Sequence, residues 1–133
     1  MDDVVIRTAR REELVDVTQH VEAAAVRAGV REGVAFVWVP HTTAAVTVNE
    51  GADPSVGRDL LAALRRLVAA SGPWEHREGN SDAHVKATLV GPSVAIPVHD
   101  GRLALGTWQA VFFCEFDGPR QRRLCITVTP AAG

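Results

Sequence analysis

Residues Val34–Val39 make an unbroken apolar run that stops at Pro40. A run this short, ended by proline, reads as a buried strand rather than a helix. A buried strand needs partners along its edges and cover on its faces, so the rest of the chain must supply both. Val4–Thr8 reads as a short strand, and Thr18 can cap a helix that runs to about Ala28, where Gly29 stops it. Thr43–Asn49 reads as another strand. Asp53-Pro54 offers a capping carboxylate with proline at the first helical position. Val56, Leu60, Leu61, Leu64, Leu67 and Val68 then recur at helical spacing, so that face is expected to pack on a sheet. Ser71-Gly72-Pro73 ends this helix, and residues 71–80 read as a loop.

Ser81 or Asp82 caps a short helix to about Val90. Val94–Val98 is a strand that Asp100-Gly101 turns back as a hairpin. Thr107–Phe116 is a longer strand, Asp117-Gly118-Pro119 a turn, and Arg123–Val128 the last strand. The expectation is one α+β domain spanning residues 1–133, a mostly antiparallel sheet with about three helices.

Composition narrows the function classes. A formal charge of −2 and no basic stripe argue against a sequence-independent grip on nucleic acid. No apolar run approaches membrane-spanning length, and the acidic start lacks the apolar stretch of a signal peptide, so a cytoplasmic protein is expected. Arginine outnumbers lysine 13 to 1, which weakens any single arginine as a functional signal. Cys114 and Cys125 lack CxxC spacing. They could face each other across a hairpin centred near Pro119-Arg120, but two reduced core thiols are the expectation. P-loop, GxGxxG, GxSxG and HExxH patterns are absent.

Polar residues gather in three islands. The first runs from His41 to Glu50. Alternation along a strand would turn Val46 and Val48 one way and Thr43, Thr47 and Asn49 the other, toward solvent, a cavity or a neighbouring subunit. His41 and Asn49 would lie roughly 26 Å apart at about 3.3 Å per residue, so one small ligand cannot touch both within a straight strand. The second island is Glu78-Gly79-Asn80-Ser81-Asp82-Ala83-His84. A helix start there offers free N–H groups to an anion. Glu78 and Asp82 fit beside phosphate if a divalent cation lies between them, whereas plain capping accounts for Ser81 and Asp82 only. The third island is Gly106-Thr107-Trp108-Gln109, where Trp108 either stacks on a heteroaromatic ring or fills the core. Arg120, in the turn after Asp117, either points at a phosphate or simply closes the turn.

Pro40-His41-Thr42-Thr43, Asn49-Glu50 with Ala52-Asp53-Pro54, residues 78–84 with Lys86-Ala87, Leu105-Gly106-Thr107-Trp108-Gln109, and Glu115-Phe116-Asp117-Gly118-Pro119-Arg120 together resemble the YjbQ family. Five motifs in order, from about residue 14 onward, make the resemblance specific. It implies a small α+β homotrimer and an activity of secondary thiamine-phosphate synthase type. That reaction joins a hydroxymethylpyrimidine diphosphate to a thiazole phosphate and releases pyrophosphate. Loss of diphosphate requires stabilised negative charge, from a metal or from N–H donors.

On this reading Asn80, Ser81 and Arg120 hold phosphate, while Asn49, Thr107, Trp108 and Gln109 complete the substrate site. His41, Asp82 and His84, with Glu78, hold a divalent Mg, Mn or Zn ion, and Glu50, Glu78 or His84 handles protons. Partners are then a small phosphorylated metabolite and further copies of the chain, with neither nucleic acid nor membrane. A non-catalytic trimer that binds a metal or a phosphorylated metabolite, or a metal-dependent hydrolase, is the alternative.

Overall fold

The computed structural model describes residues 1–132. Two antiparallel sheets and three helices build it. The strands are β1 (Asp2–Arg7), β2 (Glu13–Asp16), β3 (Gly33–Trp38), β4 (Ala44–Glu50), β5 (Ser93–His99), β6 (Arg102–Leu103), β7 (Gln109–Glu115) and β8 (Gln121–Pro130). The helices are α1 (Thr18–Ala28), α2 (Pro54–Leu67) and α3 (Ser81–Val90). One sheet has the order β1-β8-β3-β5-β6 and the other β2-β7-β4.

The main core lies between these sheets and α1. Ile6, Val37, Ile96, Leu124 and Ile126 of the larger sheet meet Val46, Val111 and Phe113 of the smaller one, with Val21 and Ala25 of α1. The far face of the smaller sheet carries Ala45, Cys114 and Phe116, which pack against Ala83 and Ala87 of α3 and half-buried Leu61 and Leu64 of α2. The start of β4 is therefore buried on both faces, and the polar alternation expected there appears only toward Asn49.

Local chemistry set most helix ends. Asp53 accepts a hydrogen bond from the Ser55 backbone N–H at 2.9 Å and caps α2. Gly29 takes the left-handed conformation, φ 65°, that terminates α1. Thr18 does not cap α1. It is the first helical residue, its hydroxyl bonded to Asp16 and accepting from the Val111 N–H at 2.9 Å. Neither Ser81 nor Asp82 caps α3, because Asn80 holds the cap position without a side-chain cap bond.

Three packing expectations need correction. The Val34–Val39 strand is paired on both edges but covered on one face only, so Phe36 and Trp38 are about half exposed. Helix α2 buries none of its residues fully, and Leu67 at its end is exposed. The turn after Asp117 is no hairpin: β7 and β8 part into different sheets, leaving Cys114 and Cys125 as free buried thiols. Strand β2 was not legible, being only four residues long.

The β5–β6 turn is clasped by charge. His99 Nδ1 lies 2.9 Å from Glu32, its Nε2 lies 3.3 Å from Asp100, and Arg31 approaches Asp100 at 3.4 Å. Glu32 also accepts from the Asp100 N–H at 3.2 Å. The bond to Glu32, then the Asp100 charge, raise the His99 pKa above its ordinary 6.5. The bond from His99 and the Asp100 N–H lower the Glu32 pKa below its ordinary 4.5. A raised histidine stabilises fully below 6.5 and loses its contribution as pH rises through the folded value. A lowered carboxylate contributes above 4.5 and loses that as pH falls through its folded value. The clasp should be tightest between these limits. Hydrogen-exchange protection of residues 98–103 should fall from pH 6 to pH 8 in the wild type and stay flat in His99→Gln, roughly within error of the exchange measurement.

Candidate functional site

An open cleft of about 380 Å³ forms where the chain entering β4 meets the start of α3 and the β7–β8 turn. His41, Glu78, Asn80, His84 and Arg120 line it. Its floor is an ion pair. Glu115 is fully buried and Arg122 nearly so. Arg122 Nε donates to both Glu115 oxygens at 2.9 and 3.2 Å, and its Nη2 donates to Glu115 Oε2 and, at 2.8 Å, to Thr43 Oγ1. Thr8 Oγ1 and the Asp117 N–H donate to Glu115 at 2.8 and 3.0 Å. Burial alone would raise the Glu115 pKa; the bonds from Arg122, Thr8 and Asp117 outweigh it and hold the pKa below its ordinary value.

The side chains above the floor are placed by neighbouring elements. His41 Nε2 accepts the Arg123 backbone N–H at 2.9 Å. Burial, then the charge of Arg122, lower its pKa, so its ring is neutral at pH 7 with the proton on Nδ1. Gly79, at φ 79°, lets the chain bend sharply into α3. Asn80 Nδ2 donates to Asp117 Oδ2 at 2.8 Å, and Arg120 Nη2 donates to the same oxygen at 3.0 Å. That arrangement holds Arg120 over the cleft. Asn80 Oδ1 is buried without a hydrogen-bond partner among the described residues. His84 stands in the first turn of α3, its ring 5.4 Å edge-on from that of His76. Ser81, expected at the phosphate, does not line the cleft; its Oγ lies 3.1 Å from His76 Nδ1.

Asp82 departs from expectation. It is fully buried, its oxygens 3.0 Å from Lys86 Nζ and 3.1 Å from Arg11 Nη2. Burial would raise its pKa, but Lys86 and Arg11 lower it. Lys86 Nζ also donates to Glu12 at 2.7 Å, and Glu12 accepts from Arg65 at 2.8 Å. Its carboxylate is thus spent on tying α3 to the β1–β2 segment and α2, and it is not free to ligate a metal in the cleft.

The other expected residues lie elsewhere. Thr107, Trp108 and Gln109 line a second, broader cleft of about 900 Å³ with Gly51, Asp16 and His20. Trp108 is 64% exposed and so no core residue of the protomer. Gln109 Oε1 accepts from the Gly106 N–H, Glu50 accepts from the Ala52 N–H, and Asn49 Oδ1 accepts from the Glu50 N–H. These bonds build a turn rather than reach outward. Ala44 pairs with Glu115 and Glu50 with Gln109, so the two clefts sit at opposite ends of the β4–β7 ladder. Six residues of strand separate them by roughly 20 Å.

Sequence reasoning gave no role to Thr8, Glu115, Asp117 or Arg122, although Glu115 and Asp117 stand in one of the family motifs. It also missed the weight of Lys86, although the sole lysine, four residues after an aspartate, is itself a pairing signal.

A profile for YjbQ, "UPF0047 protein YjbQ-like", matches residues 2–131. The chain belongs to the YjbQ family. A UPF0047 protein of Methanocaldococcus jannaschii is 49% identical over 92% of this chain and 89% of its own length. YugU of Bacillus subtilis is 47% identical over 91% of this chain and 92% of its own. A Clostridium acetobutylicum YjbQ/UPF0047 protein, described as uncharacterized, superposes with a TM-score of 0.96 at 43% identity, covering 97% of this chain and 100% of its own. A Sulfolobus solfataricus protein of unknown function superposes with a TM-score of 0.92 at 36% identity, covering 96% and 94%. Among the described residues of this YjbQ-family chain, no helix is long and apolar enough to cross a membrane.

Proposed function

We propose that the His84 cleft binds a phosphorylated small molecule and catalyses a thiamine-phosphate-synthase-type transfer with departure of pyrophosphate. The observation that carries the reading is the convergence of His41, Asn80, His84 and Arg120 on one cleft at the uncapped start of α3. First-turn N–H groups and the Arg120 guanidinium favour negative charge there. A divalent cation fits a reduced ligand set. His84, Glu78 and the unpartnered Asn80 Oδ1 suit it, whereas Asp82 is engaged and His41 has its Nε2 bonded. Such an ion would neutralise charge on the leaving group. This chain's own residues bind the phosphate and orient it.

The second cleft is supplied, on this reading, by a neighbouring copy. One protomer holds Trp108 and His84 at opposite ends of the β4–β7 ladder, roughly 20 Å apart, so a second subunit would be needed to bring Trp108 to the same ligand. We propose a homotrimer, the assembly that the family resemblance implies, and a cytoplasmic location for it. Light scattering should give three times the protomer mass at micromolar concentration, and a stable monomer removes the shared site. Binding without turnover is the second reading, favoured by the same separation of the clefts.

His84→Asn keeps a hydrogen-bonding side chain but is a poor metal ligand and no base. It should melt within about 2 °C of the wild type and weaken pyrophosphate binding, measured calorimetrically with Mn²⁺, by roughly tenfold or more, about 1.4 kcal/mol. Unchanged binding in the folded variant would sink the assignment. Turnover of the pyrimidine diphosphate and thiazole phosphate by the wild type tests the reaction itself.

A further inference from the structure

The outer face of the larger sheet is apolar at its centre and open to water. Paired residues share a face of a sheet, and every second residue of a strand returns to it. The register therefore puts Val5 of β1, Arg123 and Thr127 of β8, Phe36 and Trp38 of β3 and Ala95 of β5 together on that face. Strand β3 is the middle one of five, so its two half-exposed aromatics lie at mid-face and not at an edge. Val5 is about half exposed as well. The helices are spent elsewhere: α1 packs in the main core, and α2 and α3 pack on the far face of the smaller sheet. An open aromatic patch of this kind marks a contact surface.

Charge selects the occupant. Arg123, the one cation among these residues, is paired with Asp3 at 3.2 Å. The face is thus balanced at its rim and apolar at its centre, which matches another protein surface and not a row of phosphates. The chain itself carries such a surface. Trp108 is exposed on the turn that enters β7, at the opposite end of the β4–β7 ladder from the His84 cleft. Trp38 lies toward that cleft, because three residues further along the chain is His41, one of its lining residues. At about 3.3 Å per residue the two are within roughly 10 Å. Two different apolar surfaces at two ends of one protomer suit a head-to-tail contact, and such contacts close into rings.

We propose that the Trp108 turn of one copy packs on the Phe36–Trp38 face of the next, and that three such contacts close the ring. This rests on the homotrimer reading above and names its interface. The contact carries Trp108 of one subunit toward His41 of the next, which is the juxtaposition that a shared site needs.

Light scattering at micromolar concentration tests the face, and crosslinking tests the direction of the contact. The wild type should have three times the protomer mass, and Phe36→Asp/Trp38→Asp the mass of one protomer. The substituted side chains are exposed in the protomer, so circular dichroism should be unchanged. Phe36→Thr/Trp38→Thr, which keeps strand propensity, serves as the second variant. For the direction, Trp38→Cys and Trp108→Cys chains are mixed and treated with a short bismaleimide. Both native thiols are buried, so the wild type should give no crosslink. The mixture should give a dimer whose linked peptides contain positions 38 and 108. A trimeric wild type whose folded face variants are also trimers overturns the interface and leaves the homotrimer reading intact. Crosslinks that join position 38 to position 38 overturn the head-to-tail contact. A monomeric wild type overturns both the interface and the trimer.

Discussion

Arg122→Met should lower the unfolding free energy by about 3–5 kcal/mol. Stability of a domain this size is about 5–15 kcal/mol, so the loss is a large share of the total. The cause is not the missing attraction itself. Glu115 is fully buried, and without Arg122 its charge keeps only the Thr8 hydroxyl and the Asp117 N–H. The variant carboxyl should escape this by holding its proton, so its pKa rises where that of the wild type is lowered. The sign follows. In the wild type Glu115 contributes stability above its ordinary 4.5 and loses it as pH falls through the lowered folded value. In Arg122→Met the deficit is greatest near pH 7 and shrinks toward pH 4.5, where the buried group is neutral. Urea unfolding at both pH values reads this as a change in midpoint at constant slope. The double variant Arg122→Met/Glu115→Leu should recover much of the loss. A deficit independent of pH, or no recovery, would mean that packing and not charge is at stake.

Lys86→Met should be nearly as damaging, by about 3 kcal/mol. Lys86 is 1% exposed and bonds both Asp82 and Glu12. Removing it leaves Asp82 with Arg11 and Glu12 with Arg65, both of them surface arginines. Lys86→Arg should not rescue, because a planar fork does not fit a space shaped for a point charge. Since α3 also carries His84, ligand affinity should fall with stability in Lys86→Met. A separate Asp82→Asn variant, keeping volume, should show the smaller stability loss of the two. Equal melting of Lys86→Met and the wild type would show the buried network to be dispensable.

What was legible in the chain follows from which forces are local. Asp53-Pro54 started α2 and Gly29 ended α1 because caps and glycine conformations depend on a few neighbouring residues. The family was legible too, because its motifs keep their order and spacing. Strand partnering was not. The turn after Asp117 reads like a hairpin, yet β7 pairs with β2 and β4 while β8 pairs with β1 and β3. Only tertiary packing decides that.

The site was half legible for a related reason. His41, Glu78, Asn80, His84 and Arg120, polar residues of three separate motifs, line one cleft. Asp82 did not, because its neighbours within the motif do not reveal that Lys86, one turn on, and Arg11, far back in the chain, both reach it. Trp108 and Gln109 were joined to that site by chemistry alone, and the register of β4 on β7 sets them apart.

The position of Lys86 also has a practical consequence. It is the chain's one lysine, and the fold encloses it. An amine-directed acylating reagent therefore meets no side-chain target on the native surface. Acylation at position 86 would mark only those molecules that have opened around α3. The residue is thus a built-in covalent reporter of unfolding, readable by mass as one added group beyond that on the exposed Met1 α-amine, without any engineered label.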